Sequence, residues 1–376
     1  MNIEIGKNIK QPQGFEAFVP NPFPPKGVFT MPPKTLVKIA EADRLIGKLD
    51  GITHTLPDVD FFLNMFVAKD ATSSSQIEGT QASMVEAIEK DAGVAANMND
   101  ADDILYYIKA LNYGIKRLKD FPLSLRLIRE THEKLMVGAR ATHFADPGQF
   151  RASQNWISGV SPAKASFVPP PVEDMKRSLG DLEHFLHDEE DILPLVHIAL
   201  VHAQFETIHP FLDGNGRVGR LLVTMLLCHR NLLERPVLFL SSYFKRHQKV
   251  YYSCLNGYHH GETLGWVEFF LDGVIDTANE SIAISKQIRE LRDKDMMKIQ
   301  ALGKRESGSG ILVLSRLFGN PIVTTKTIMD WTGFTRAGAQ KIIDRFIKLG
   351  ILSLRNKKAL YDKSYVYSAY LNIFLK

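Results

Sequence analysis

The stretch His209-Pro210-Phe211-Leu212-Asp213-Gly214-Asn215-Gly216-Arg217-Val218-Gly219-Arg220 constrains this chain more than any other. It gathers an imidazole, a carboxylate, three glycines and two arginines, and runs at once into an apolar helical pattern over residues 221–227. Glycines that feed a helix N-terminus leave backbone N–H groups free, and the positive end of the helix dipole stands behind them. Arg217 and Arg220 share a face of the first helical turn. Two guanidiniums beside a backbone anion nest suit a polyphosphate. Asp213 adds a hard oxygen ligand of the kind Mg²⁺ uses when it arrives with phosphates. His209 is the group able to take a proton near neutral pH. The stretch reads as a nucleoside triphosphate site with a general base at its edge.

Two other readings of the loop are weaker. Gly214, Gly216 and Gly219 satisfy G-x-G-x-x-G, with Glu234 near the distance expected of a ribose-binding acid. That dinucleotide fingerprint demands a strand directly before the loop. Leu195, Ile198, Ala199, His202, Phe205 and Ile208 recur at helical spacing there instead. A plain glycine-rich turn between helices accounts for Gly and Arg but leaves the His, Asp and Asn without a reason.

The 376 residues can bury a large core and divide into two or three domains. Two cysteines, Cys228 and Cys254, are too few for a disulfide framework, which favours a reducing compartment. No secretory leader and no membrane-length apolar run is visible, so the expected location is cytoplasmic, without a membrane partner. No Cys/His spacing points to zinc, and His197 and His202 read as helix packing. The formal net charge of +4 is unevenly spread. Residues 305–376 hold twelve Lys/Arg against four Asp/Glu, a balance of +8, which leaves −4 for the rest. A basic tail on an acidic body raises DNA as a partner.

The signature stretch resembles that of the Fic family, H-x-F-x-D-G-N-G-R-x-x-R, at every specified position. The resemblance implies an all-helical core that transfers AMP from ATP and Mg²⁺ onto a protein hydroxyl. It implies that His209 is the base and Asp213 the Mg²⁺ ligand. Gly214, Asn215 and Gly216 would form the anion hole, with Gly219 among the nucleotide-binding glycines. Arg217 would contact phosphates, Arg220 would hold the γ-phosphate, and Phe211 would anchor the core. A related kinase-like branch carries lysine where Gly216 stands, so nucleotidyl transfer is favoured here.

In chain order, a proline-rich start (Pro12, Pro20, Pro22, Pro24, Pro25, Pro32, Pro33) reads as an extended arm. Helices are expected from Thr35 and after Pro57. The second runs into Thr72-Ser73-Ser74-Ser75-Gln76-Ile77-Glu78-Gly79, which by itself is a serine-rich helix end capped by Gly79. In the Fic context it resembles the inhibitory motif [S/T]-x-x-x-E-[G/N], with Ser74, Glu78 and Gly79 in place. A carboxylate delivered to Arg220 would occupy the place meant for the γ-phosphate. Residues 148–171 read as a hairpin around Trp156-Ile157. By resemblance this is the flap, with Trp156, Ile157 and Ser158 docking the target. Tyr251 and Tyr252 would line the adenine pocket. His259 stands near where many relatives have asparagine, which departs from the pattern.

A long helix is expected over residues 274–302, then a Gly/Ser linker over 303–310. Three helices follow, over Ile311–Phe318, after a cap at Thr324, and over Ala339–Leu349 beyond a turn at Gly333, the third bearing Arg336, Lys341, Arg345 and Lys348. A strand and a basic hairpin with Arg355, Lys357 and Lys358 complete an order that resembles a winged helix. The expected fold is therefore mainly α: an all-helical Fic core with a β-hairpin flap, an N-terminal helical segment and a C-terminal winged helix-turn-helix domain. The expected divisions are 1–100 for arm and inhibitory helix, 101–272 for the core, 273–304 for a bridging helix, and 305–376 for the last domain. The function expected is protein adenylyltransferase, autoinhibited by Glu78 on Arg220, with ATP and Mg²⁺. A protein substrate, including the chain itself, is the expected partner, with a homodimer and DNA as further ones. The alternatives are a DNA-binding or scaffolding regulator that senses nucleotide, and a de-AMPylase using Glu78.

Overall fold

A computed structural model describes residues 3–24, 31–54, 59–94, 99–138, 146–187, 192–355 and 363–375. The chain begins with β1 (Gly6–Lys10) and β2 (Glu16–Pro20), paired antiparallel with Gly6 opposite Pro20 and Lys10 opposite Glu16. Then come α1 (Pro33–His54), α2 (Val59–Ile77), α3 (Met84–Asp91), α4 (Asn99–Arg117) and α5 (Leu125–Met136). A loop containing a short 3-10 turn (Pro162–Lys164) leads to α6 (Val172–Leu186), α7 (Pro194–Ile208), α8 (Asn215–His229), α9 (Leu240–Arg246) and α10 (Gln248–His259). Next are α11 (Thr263–Gln300) and α12 (Lys304–Leu317), then β3 (Ile322–Thr324), α13 (Thr325–Thr332) and α14 (Arg336–Lys348). The chain closes with β4 (Ser353–Leu354), β5 (Ser364–Val366) and α15 (Ser368–Phe374).

The architecture is mainly α, as the sequence implied. Local chemistry marks several helix starts: Ser83 and Glu86 form a capping box on α3, Thr324 and Thr327 do the same on α13, and Ser124 caps α5. The centre is α7, in which every residue from Leu195 to Ile208 is buried. A helix that is apolar on all sides can only be stable when surrounded. α6, α8, α10 and α11 pack around it, and α2 reaches α8 from the side, between α4 and α9.

Several expectations are corrected in detail. The N-terminal arm is a hairpin whose Phe18 N–H donates to Val168 O at 2.9 Å, so it is stitched to the flap segment. The flap hairpin is reduced to one antiparallel bridge, Ile157 to Phe167, because the 3-10 turn and the left-handed Ser158 and Gly159 interrupt longer pairing. The expected core boundary at 272/273 falls inside the continuous α11. The expected Gly/Ser linker over 303–310 is instead the first half of α12. Ser307 and Ser309 return their hydroxyls to carbonyls of the preceding turn, and the bare Gly310 lets Ile299 pack close, 2.7 Å from where a Cβ would stand.

The C-terminal elements are tied to the body. Buried Asp295 of α11 accepts from Tyr367 Oη at 2.7 Å, and Phe374 meets Phe66 of α2 edge to face at 5.3 Å. β5 lies between β3 and β4, antiparallel to both. Arg345 and Arg355 form ion pairs with Glu306 and Glu89, while Arg336, Lys341 and Lys348 are exposed on α14. Pro25, Pro57, Lys357 and Lys358 lie outside the described residues. Among the described residues no helix is long and apolar enough to cross a membrane.

Candidate active site

The signature loop is held open by side chains that face inward. Phe211 is fully buried and stacks on His132 at 3.7 Å, with the rings 5° from parallel. The Asn215 amide spans the loop: it accepts from Phe211 N at 2.8 Å and donates to Phe211 O at 2.7 Å. Its side chain therefore shapes the loop. Gly214 has φ +80°, and a Cβ there would fall 2.8 Å from Met136 Sδ. His132 Nδ1 accepts from Gly148 N, so its proton resides on Nε2, which donates to Asp213 O at 3.0 Å. Burial lowers His132 to about 4, which keeps that tautomer neutral.

The segment before the flap clamps the same loop. Arg151 Nε and Asn155 Nδ2 both donate to His209 O, at 3.0 and 3.3 Å, and Arg151 N donates to Pro210 O at 2.9 Å. Neither residue stood out as functional in the sequence, since nothing local marks a side chain that acts on a loop so far along the chain.

His209 ends α7 in the left-handed conformation, φ 49°, which turns its ring back over the last helical turn. Its Nδ1 lies 3.3 Å from Glu206 O. A carbonyl oxygen only accepts, so Nδ1 carries the hydrogen and Nε2 keeps a free lone pair. Burial pushes the imidazole down to about 4. The ring is therefore neutral at physiological pH and able to accept a proton at Nε2.

Arg220 is buried and gripped through Nε and Nη2. Its Nε donates to Ser74 Oγ at 2.8 Å, and its Nη2 to Ser74 O at 3.1 Å and Glu78 Oε1 at 2.7 Å. Burial alone would raise the Glu78 carboxyl, yet Arg220, with Arg217 and His209 behind it, holds it below its ordinary value. Gly216 makes the approach feasible, because a Cβ there would lie 2.4 Å from Glu78 Oε1. Gly79, φ +96°, turns the chain away after α2. Gly219 leaves room for a second carboxylate: a Cβ there would lie 2.3 Å from Glu206 Oε1.

A cavity of about 660 Å³ opens in front of these groups. Glu78, His209, Gly216 and Arg220 form one wall, Tyr251 and Tyr252 of α10 another, and Trp156, Ile157 and Ser158 the rim. Tyr251 is buried; its hydroxyl donates to His202 Nε2 at 2.9 Å, and its ring stacks on Phe244 at 4.6 Å. His259, the departure from the family pattern, also lines the cavity. It stacks on Phe167 at 4.1 Å and meets Thr207 Oγ1 at 3.0 Å, so it fastens the far side of the flap to α10. Ser74, Gly79, Asp213, Gly214, Asn215, Arg217 and Gly219 do not line this cavity. Arg217 is buried beside Asp213 at 3.6 Å, with its Nε unpartnered among the described residues. Glu206 does line the cavity and was missed from sequence, although its place one turn before His209 was a usable signal.

Residues 36–116 match the model described as Fic/DOC family N-terminal, and residues 122–227 the model described as Fic/DOC family. The chain is 28% identical over 212 residues to protein adenylyltransferase Fic of Culex quinquefasciatus, covering 54% of this chain and 38% of that protein. It is 30% identical over 204 residues to protein adenylyltransferase Fic of Nematostella vectensis, covering 52% and 44%. The matches span less than half the length of these curated relatives. In fold, a Fic family protein from Desulfovibrio desulfuricans G20 superposes with a TM-score of 0.60 at 18% identity, covering 91% of this chain and 98% of that one. A Fic-domain signaling protein from Bacteroides thetaiotaomicron gives a TM-score of 0.52 at 20% identity, over 66% and 97%. The chain thus carries the two Fic/DOC family regions, over residues 36–116 and 122–227, on the fold of Fic family proteins.

Proposed function

We propose that the chain transfers AMP from ATP to a hydroxyl of a protein, its own hydroxyls included, and that Glu78 holds the site at rest. The observation that carries this reading is the meeting in one cavity of a neutral imidazole with a free Nε2, a buried guanidinium, and the carboxylate bound to it. The adenylyltransferase names of the curated relatives support the reaction class.

In this reading the adenine lies against Tyr251 and Tyr252, and the phosphates run towards the first turn of α8. The helix dipole, free amides and the unpartnered Nε of Arg217 receive them there. Arg220 takes the γ-phosphate once Glu78 withdraws. A target strand adds to the flap at Trp156, Ile157 and Ser158, with Ile157 already paired inward to Phe167. His209 Nε2 takes the proton of the target hydroxyl as its oxygen attacks the α-phosphorus, and pyrophosphate leaves.

Asp213 fits Mg²⁺. Both described contacts of its carboxylate, Gly214 N at 2.6 Å and Arg217 Nη2 at 3.6 Å, fall on Oδ1, which leaves Oδ2 as the ligand atom. One carboxylate plus phosphate oxygens and waters is a usual shell for this ion, which neutralises phosphate charge when bound.

A nucleotide-sensing DNA regulator has less support, since Arg345 and Arg355 of the basic region are held in ion pairs within the chain. The test is intact-mass analysis of Glu78→Gly with each nucleoside triphosphate and Mg²⁺. We expect addition of one or more AMP groups with ATP. No covalent addition with any of the four would count against the reading.

A further inference from the structure

Glu206 lies one turn before His209 and is 9% exposed. Its Oε1 is buried with no hydrogen-bond partner among the described residues, in space left by the missing side chain of Gly219. A buried, unsatisfied carboxylate oxygen is costly and calls for an explanation. Its Oε2 lies 4.0 Å from His209 Nδ1, the atom whose hydrogen already points to the backbone carbonyl of the same glutamate. One residue therefore addresses Nδ1 twice, because the left-handed backbone of His209 folds its ring over the preceding turn.

We propose that Glu206 is a positioning residue for His209: it fixes the Nδ1–H tautomer and stabilises the imidazolium that forms when Nε2 takes the proton of the target hydroxyl. This rests on the base assignment above. Nε2 gains the hydroxyl hydrogen, the hydroxyl oxygen bonds to the α-phosphorus, and the bond from that phosphorus to its bridging oxygen breaks. The electron pair leaves with pyrophosphate. Nδ1 keeps its hydrogen throughout, and none passes to Glu206. While His209 is neutral the carboxylate gains little from it; once the ring is charged, opposite charges meet in a site shielded from water. An interaction made only at that stage raises kcat and leaves substrate affinity alone.

Other charged or titratable groups also face Glu206: Arg220 on α8, Glu78 after α2, Tyr251 and Tyr252 on α10, and His202 on α7. Burial pushes the carboxyl up to about 7, Arg220 drawing it down and Glu78 pushing it up. The active, ionised fraction should therefore grow with pH around neutrality, and somewhat lower once Glu78 is removed.

The test uses the full chain carrying Glu78→Gly and measures AMP transfer against pH. Three further changes are added singly: Glu206→Gln, Gly219→Ala, which displaces the carboxylate without deleting it, and His209→Ala. The His209 tautomer is followed by imidazole nitrogen NMR in the nucleotide-free protein near neutral pH. For Glu206→Gln we expect kcat to fall about 10- to 100-fold, equivalent to ~1.4–2.8 kcal/mol. KM for ATP should stay within about twofold, the limb near neutrality should vanish, and the Nδ1–H tautomer of the His209 ring should lose population. Gly219→Ala should show the same pattern more weakly, and serves if Glu206→Gln does not fold. Unchanged kcat and pH profile alongside an inactive His209→Ala would overturn the proposal. Transfer that persists in His209→Ala would instead refute the base assignment, and the ring tautomer would still decide whether Glu206 acts on His209.

Discussion

Glu78 and Arg220, 142 residues apart in the chain, meet at 2.7 Å, and Ser74 holds the same guanidinium from the other side with its hydroxyl and carbonyl. Ser74 and Glu78 are one helical turn apart, so the end of α2 grips Arg220 as a unit. The pair is unequally shielded: the Arg220 side chain is 2% exposed and that of Glu78 37%. The arginine is thus the buried half of the pair, and the glutamate the half open to solvent.

Ser74→Ala tests the grip. It removes the Nε acceptor while Ser74 O and Glu78 remain, so the grip on Arg220 is loosened and not broken. AMP incorporation should rise several-fold over wild type but stay below Glu78→Gly. Labelling equal to wild type would mean that the serine does not contribute to the resting state.

Asn215→Ala tests the loop. It deletes both bonds to the Phe211 backbone and leaves the Phe211 N–H buried without its acceptor, although Asn155 still serves Phe211 O. The expected cost is ~1–3 kcal/mol, read by urea denaturation. An unchanged midpoint would contradict the inward role of this amide.

Acid should weaken the fold before any carboxylate pair is lost. Burial lowers His132 and His209 to about 4 and His202 and His259 to about 3, from an ordinary value of 6.5. Between those values the unfolded chain binds more protons than the folded one, so stability falls as pH drops from 6.5 towards 4. Asp43, Asp70 and Glu206, raised by burial, act in the opposite sense, but the four imidazoles outnumber them. Thermal midpoints should therefore fall steadily from pH 7 to pH 5, and a flat or rising profile would contradict this.

Much of the site was legible because its chemistry is contiguous. The whole signature lies in one stretch, and Ser74 and Glu78 lie within a single turn of helix. What could not be read depends on partners distant in sequence. Arg151 and Asn155 act on a loop more than fifty residues away, and the Gly219 and Glu206 contact joins two helices. The linker expectation failed for a related reason: Gly308 and Gly310 look like breaks, yet the close approach of Ile299 favours a bare helix face at Gly310. Asn215 and Gly219 also hold the loop and its helices together, one through its amide and the other by leaving room for Glu206, which their place in the signature alone does not reveal.

The central claim is that Glu78 and the γ-phosphate compete for Arg220. Its most direct measurement is incorporation of α-labelled ATP into wild type, Glu78→Gly, Arg220→Ala and the double mutant. Breaking a charge-assisted pair of ~1.5–3 kcal/mol should raise incorporation by about tenfold or more in Glu78→Gly, discounted for the partial exposure of the carboxylate. Arg220→Ala should label poorly, and adding Glu78→Gly to it should change nothing, because the shared guanidinium is gone. Equal labelling of wild type and Glu78→Gly, or a gain in the double mutant as large as in the single, would contradict the account.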